Sequence, residues 1–265
     1  MKKRVLFGIQ ILMLSGILVL SGCNSVTDLS FKPIKFNEIE LVNESIEQSL
    51  DGRHNIYQVR IKNTSDKILD QVTLELIHQD GQHVKILTED TLKPGDISEL
   101  MTCIGPTSGE LEDISPLQMD VTIINKDFSR ERVSYNNETK VYQMTDEMPL
   151  NVIESDIDVH QLLVKLEVGY NELDELEQLA YLQNSTNNNV SNVRFKYELA
   201  DGNIILLSYP NTINRSQKIQ LNVTSKLPLT RIKEMTLKEV TFTQEDENEP
   251  RTIRYDASLD QYFEL

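Results

Sequence analysis

From Tyr57 onward, apolar residues recur at every second position. Tyr57, Val59 and Ile61 alternate with Gln58, Arg60 and Lys62. Val72, Leu74 and Leu76 alternate with Thr73 and Glu75, and Met119, Val121 and Ile123 with Asp120 and Thr122. A period of two sends one side of an extended chain into a core and the other into water, so these segments are predicted to be half-buried strands. Turn-forming residues separate them: Asn63-Thr64-Ser65-Asp66, Asp80-Gly81 and Pro94-Gly95-Asp96. Short strands at this spacing predict an all-β chain, folded as sandwiches of two antiparallel sheets.

The pattern is written twice. Asn63 and Asn184 stand 121 residues apart, and at that offset Val72, Leu74 and Leu76 fall on Val193, Phe195 and Tyr197. Asp80-Gly81 falls on Asp201-Gly202, and Thr91-Leu92 on Thr212-Ile213. Further on, Val121-Thr122-Ile123 resembles Val240-Thr241-Phe242, and Tyr135 resembles Tyr255, at slightly smaller offsets. A repeat of this length predicts two tandem β-sandwich domains, residues 38–147 and 148–265, divided near Thr145 to Pro149. One stretch competes with this plan, since Leu162, Leu166, Tyr170, Leu173 and Leu176 also fit a helical face. Gly169 and the position in the repeat favour strand, loop, strand.

The first residues follow another rule. Lys2, Lys3 and Arg4 precede an apolar run from Val5 to Leu20, too short for a membrane-spanning helix of roughly 20 residues and right for a secretory signal. The run closes on Leu20-Ser21-Gly22-Cys23. These four residues resemble the bacterial lipobox, in which diacylglycerol is attached to the Cys thiol before the chain is cut on its N-terminal side. The resemblance implies that residues 1–22 are a lipoprotein signal peptide. It further implies that Cys23 carries the lipid (palmitate or a related acyl chain) and that the rest is held on the extracytoplasmic face of the cell membrane. Two or more acyl chains anchor firmly where one does not. Residues 23–37 read as lipidated Cys and tether, reaching roughly 50 Å if about 15 residues are extended.

The stretch from Tyr57 to Met101 resembles the immunoglobulin-like, FxLYD-like modules of bacterial lipoproteins. The residues that carry the likeness are Ile61-Lys62-Asn63-Thr64-Ser65, Val72 to Gly81, and Leu92-Lys93-Pro94-Gly95-Asp96. The second copy keeps Asn184-Ser185 and Asp201-Gly202 but has Ile213-Asn214-Arg215-Ser216-Gln217 in place of the proline turn. The likeness implies a fold and brings no catalytic residues with it.

Composition narrows the functions. The chain has 26 Lys and Arg against 42 Asp and Glu, a formal charge of −16, and residues 1–22 hold three of the cations and none of the acids. The remainder, at −19, is a poor fit to nucleic acid, which needs a basic surface. With Cys23 committed to lipid, Cys103 stands alone and is expected to be buried and inert. His78 and His83 flank Asp80-Gly81 without a third metal ligand, and read as surface residues. Glu245 to Pro250 reads as a hairpin loop, whereas Asp146, Glu147, Glu154, Asp156 and Asp158 gather at the division and could hold calcium. No Gly-x-Ser-x-Gly elbow, phosphate loop or His-Glu-x-x-His helix is present. No catalytic residue, metal ligand or cofactor is therefore assigned. The expectation is a non-enzymatic binding or scaffolding module for a protein or cell-envelope component. The alternatives are an envelope enzyme with carboxylates between the domains, and a calcium-stiffened adhesion module.

Overall fold

The computed structural model describes residues 34–107, 110–111, 114–170, 176–224, 231–245 and 250–265, and nearly every element in them is an antiparallel strand. The first half contributes β1 (Ile39–Gln48), β2 (Asn55–Asn63), β3 (Ile68–His78), β4 (His83–Thr88), β5 (Met101–Ile104), β6 (Ile114–Ile124), β7 (Arg130–Asn136) and β8 (Val141–Glu147). The second contributes β9 (Val152–Ile153), β10 (Leu162–Tyr170), β11 (Leu176–Asn184), β12 (Val190–Glu198) and β13 (Ile204–Tyr209). It continues with β14 (Lys218–Gln220), β15 (Asn222–Val223), β16 (Thr236–Gln244), β17 (Arg251–Asp256) and β18 (Gln261–Glu264).

Each half builds a small sheet and a large one. Sheet β1-β2-β5 shares a buried apolar cluster with sheet β4-β3-β6-β7-β8, in which Tyr57, Val59 and Ile61 of β2 pack with Val72, Leu74 and Leu76 of β3. Sheet β10-β11-β14 does the same with β15-β13-β12-β16-β17-β18-β9, around Ala180, Leu182, Phe195, Leu207 and Phe242. The two clusters have no residue in common. Their strands show the alternation the sequence predicts, as in β3, where Val72, Leu74 and Leu76 are buried and Thr73 and Glu75 are half-exposed. The first cluster also takes in Ile34, fully buried, and packs Phe36 against itself. The fold therefore begins earlier than residue 38, inside the stretch that the hydrophobic pattern assigns to a tether.

The stretch that also fits a helix is a β-hairpin. β10 and β11 pair residue for residue from Leu162↔Asn184 to Tyr170↔Leu176, and Leu173 lies outside the described residues. Its apolar residues satisfy two periods. The backbone of β11, held on its other side by β14, decides for the strand.

The copying extends to single hydrogen bonds. Asn63, with none of its surface exposed, donates from Nδ2 to the Lys67 and Leu92 carbonyls at 2.8 and 2.9 Å. Its Oδ1 accepts from Ser65 N at 3.0 Å and Ser65 Oγ at 2.7 Å. Asn184, equally buried, donates to the Asn188 and Ile213 carbonyls at 2.8 and 3.1 Å and accepts from Thr186 N at 3.0 Å and Oγ1 at 2.7 Å. The Pro94-Gly95 turn, replaced in sequence, survives in shape. Ser216 N donates to the Asn184 carbonyl at 2.7 Å, as Gly95 N does to that of Asn63. Ser216 takes φ 63° where Gly95 takes 91°.

Strand registers correct one part of the sequence alignment. Leu74 faces Met119 and Phe195 faces Val240, so β16 keeps the offset of 121 from β6, and Val121 answers Phe242 rather than Val240. Both copies share a register shift in the same place, between Glu75 and Leu76 and between Lys196 and Tyr197. From β7 onward the offset is 120. Tyr135 faces Tyr142 with ring centroids 4.4 Å apart, and Tyr255 faces Tyr262 at 4.9 Å.

Candidate functional site

The place where a site between the two halves would sit is the contact of β2 and the β4–β5 connection with β12, β17 and the Asp201-Gly202 turn. Period-two alternation puts Lys196 on the opposite face of β12 from its buried neighbours Phe195 and Tyr197. Its Nζ lies 2.8 Å from Asp90 Oδ1 and 3.2 Å from Glu99 Oε2, both in the first half. Asp90 is nearly sealed from water, and its other oxygen accepts from Glu99 N at 3.0 Å. Burial works against the Lys196 ammonium, but the charges and hydrogen bonds of Asp90 and Glu99 outweigh it and raise its pKa. Glu99 moves upward too, because burial and then the Asp90 charge oppose its ionisation more than Lys196 and Lys238 favour it.

A second contact lies beside this one. Arg60 of β2 sits 3.6 Å from Glu198, which Lys238 also approaches to 3.3 Å, and the Arg60 guanidinium donates to the Asp201 carbonyl. The Arg60 side chain passes directly over Gly202, where a Cβ would collide with its guanidinium. Thr91 Oγ1 donates to Asp256 Oδ2 at 2.6 Å, and Leu100 N approaches the Gly202 carbonyl at 3.4 Å. Phe128, on the β6–β7 turn, meets Phe263 edge-on at 6.0 Å. The gap among Asp90, Thr91, Lys196, Lys238, Arg254 and Asp256 holds about 20 Å³, room for roughly one water molecule. Asp90 and Asp256 are therefore matched by the Lys196 ammonium and the Thr91 hydroxyl at hydrogen-bonding distance, around a space too small for an organic substrate.

The acidic residues that the sequence gathers at the division form no three-ligand metal group. Asp146 lies opposite Glu131 on the β7–β8 ladder, and Asp158 caps a short 3-10 turn by accepting from His160 N at 2.9 Å. Among the described residues, no group of three or more His, Cys, Asp or Glu side chains is placed to share a metal ion. Of Glu245 to Pro250, residues 246–249 lie outside the described residues, and the flanking β16 and β17 form the expected hairpin.

The histidine pair is also separated. β3 alternates, so His78 turns inward while His83, opposite Ile77, faces solvent. His78 is buried rather than on the surface, with Nδ1 at 2.8 Å from Asp80 Oδ1, and His83 contacts Glu75 at 2.6 Å. Cys103, opposite Tyr57 on β5, is half-buried, and burial pushes its thiol above the ordinary value. A thiol held protonated is a weak nucleophile. Leu20, Ser21, Gly22 and Cys23 lie outside the described residues.

Some of the exposed apolar side chains lie at one end of each repeat. Leu50 at the tip of the β1–β2 hairpin and Ile104 on adjoining β5 are open to water, as are Val168 and Tyr170 at the end of β10. An open groove of about 640 Å³ beside Ile104 is lined by Gln48, Asn55, Gln82 and Thr107, and another of about 650 Å³ beside Val168 by Leu166, Gln178 and Ile232. Sequence reasoning did not single out these residues, nor Asp90, Glu99 and Lys196. The three charges come together only across the fold and leave no local spacing to read.

No protein-family model matches the chain, and no curated protein sequence matches it.

Proposed function

We propose that the chain is an exported lipoprotein, held on the outer face of the cell membrane by acyl chains on Cys23. Its paired immunoglobulin-like sandwiches serve as a non-enzymatic binding or scaffolding module for a protein or envelope component. The observation that carries the anchor is the sequence Leu20-Ser21-Gly22-Cys23 directly after an apolar run with a cationic start. Against the rival reading of an enzyme stands the occupied junction, where Lys196 is matched to Asp90 and Glu99 around a space of about 20 Å³.

The contact surface in this reading is one or both of two ends, that of the first half bearing Ile104 and that of the second bearing Val168 and Tyr170, since exposed apolar and aromatic side chains supply most binding energy in protein interfaces. The anchor is tested by expression in a bacterial host with labelled palmitate. The native chain is expected to carry label and sediment with membranes, and Cys23→Ser to lose both. Label retained in Cys23→Ser would end this reading. The binding surface is tested by capture from the native envelope with native and Ile104→Asp, Tyr170→Asp chains. A partner held equally by both would move the interface elsewhere.

A further inference from the structure

The groups around Lys196 hold more than an ion pair needs. Its Nζ stands 2.8 Å from Oδ1 of Asp90, whose side chain is 3% exposed, and the two residues belong to different halves of the chain. The other Asp90 oxygen, Oδ2, accepts from the backbone N–H of Glu99 at 3.0 Å. The Glu99 carboxyl reaches the same Lys196 nitrogen at 3.2 Å. Acyl transfer to an amine needs a nitrogen nucleophile, a carboxyl carbon beside it, a fixed donor on one carboxyl oxygen and a second acid to carry protons. All four are present, next to a gap of about 20 Å³ with room for roughly one water molecule.

We propose that Lys196 and Asp90 condense into an amide that ties the two halves together, with Glu99 carrying the protons. A proton first passes from the Lys196 ammonium along the hydrogen bond to Asp90 Oδ1, leaving an amine beside a carboxylic acid. Nζ attacks Cγ, and negative charge gathers on Oδ2, where the Glu99 N–H already donates. Glu99 takes a second proton from the nitrogen and passes it to the departing Oδ1. The Cγ–Oδ1 bond breaks, the Nζ–Cγ bond remains, and one water leaves. Two of the three ammonium hydrogens go with it, the third stays on the amide, and nothing is oxidised or reduced.

Asp90, nearer to the nitrogen and drier than Glu99, is the carboxyl attacked. Burial leaves Glu99 more readily protonated than usual, which suits a proton carrier. The two acids hold Lys196 as the ammonium, so the amine is scarce, the ion pair is the starting state and the bond forms slowly. Groups held in contact react at effective concentrations of roughly 10⁵–10⁸ M, which lets an amide form in the presence of water. The bond closes a loop across 106 residues. Tension between the two ends of the chain then bypasses β5 to β11.

The test is peptide mass mapping of the purified whole chain, incubated for days at neutral pH beside Lys196→Arg and Glu99→Gln. The first variant keeps the charge without an amine, and the second keeps the size of the side chain without its proton transfer. After trypsin, the native chain is expected to give a joined peptide containing Asp90 and Lys196, uncut after Lys196, lighter by one water than its parts and increasing with time. Lys196→Arg is expected to give none, and Glu99→Gln to form it about a hundredfold more slowly. Native chain whose two peptides stay separate would overturn the proposal, as would a joined peptide in Lys196→Arg or one formed at the native rate in Glu99→Gln. Circular dichroism shows that both variants are folded, and the native chain decides the question without them.

Discussion

Asn63 and Asn184 use both halves of their amides, donating twice to carbonyls and accepting from a backbone and a hydroxyl group, with no contact with water. A side chain that is donor at one end and acceptor at the other is the only kind that fits, so aspartate is no substitute. Asn63→Ala leaves the Leu92 carbonyl without its side-chain donor and Ser65 without its acceptor. A loss of roughly 2–4 kcal/mol is expected, from two or more buried groups each costing about 1–3 kcal/mol. Asn184→Ala should cost the same, and urea denaturation of both variants checks it. Ser216 shows the opposite case, a residue with a Cβ held at φ 63°. Left-handed backbone costs such a residue roughly 1–2 kcal/mol, part of which glycine loses again in the unfolded chain. Ser216→Gly is expected to raise stability by about 0.5–1 kcal/mol in the same assay.

At the scale of the strand, the tyrosines set the response to alkali. Tyr57 is buried in β2 and donates to Glu44, and burial followed by that carboxylate pushes its phenol far upward. Burial alone pushes Tyr197 in β12 up to about 12. Tyr255 in β17 rises through burial and then its hydrogen bond to Asp260 at 2.8 Å. All three pKa values are higher folded than unfolded, so the unfolded chain loses these protons first. Their contribution to stability is whole below the unfolded value of about 10 and disappears as pH rises through the folded values. The raised pKa of Lys196 acts in the same direction. The urea midpoint is expected to fall steadily above pH of about 10, with the tyrosinate absorbance of these three buried phenols appearing only together with unfolding. Free titration of all nine tyrosines in the folded state would contradict it.

For the whole molecule, the question is what couples the two halves, whose apolar clusters are separate. The contact between them is polar, centred on Lys196 with Asp90 and Glu99, with the Phe128–Phe263 pair beside it. Removing one member of a buried pair leaves the other charge stranded, at a cost of about 3–5 kcal/mol when fully buried and less where water reaches, as it does Lys196. Lys196→Met is expected to cost roughly 2–3 kcal/mol and to split one calorimetric transition into two. Glu99→Gln should be nearly neutral, because burial already disfavours its charge. Gly202→Ala, by driving Arg60 from the Asp201 carbonyl, should loosen the same contact, visible as a larger radius of gyration in solution scattering.

Alternating side chains and turn residues determined by themselves that the chain folds into antiparallel sheets and that its plan is used twice, because a period of two admits only one way to bury one face. The same period left the last part of the alignment open. A shift of two residues, Val121 to Val240 instead of Phe242, keeps every side chain on its own face, and only hydrogen-bonded registers exclude it. The apolar pattern also stopped short of Ile34 and Phe36, whose partners in the core lie far along the chain. Tertiary structure alone decided that Lys196 meets Asp90 across 106 residues, that no three of the acidic residues near the division are placed to share a metal ion, and that His78 turns inward. Charge pairs of that kind depend on distances through space, and no local periodicity encodes them.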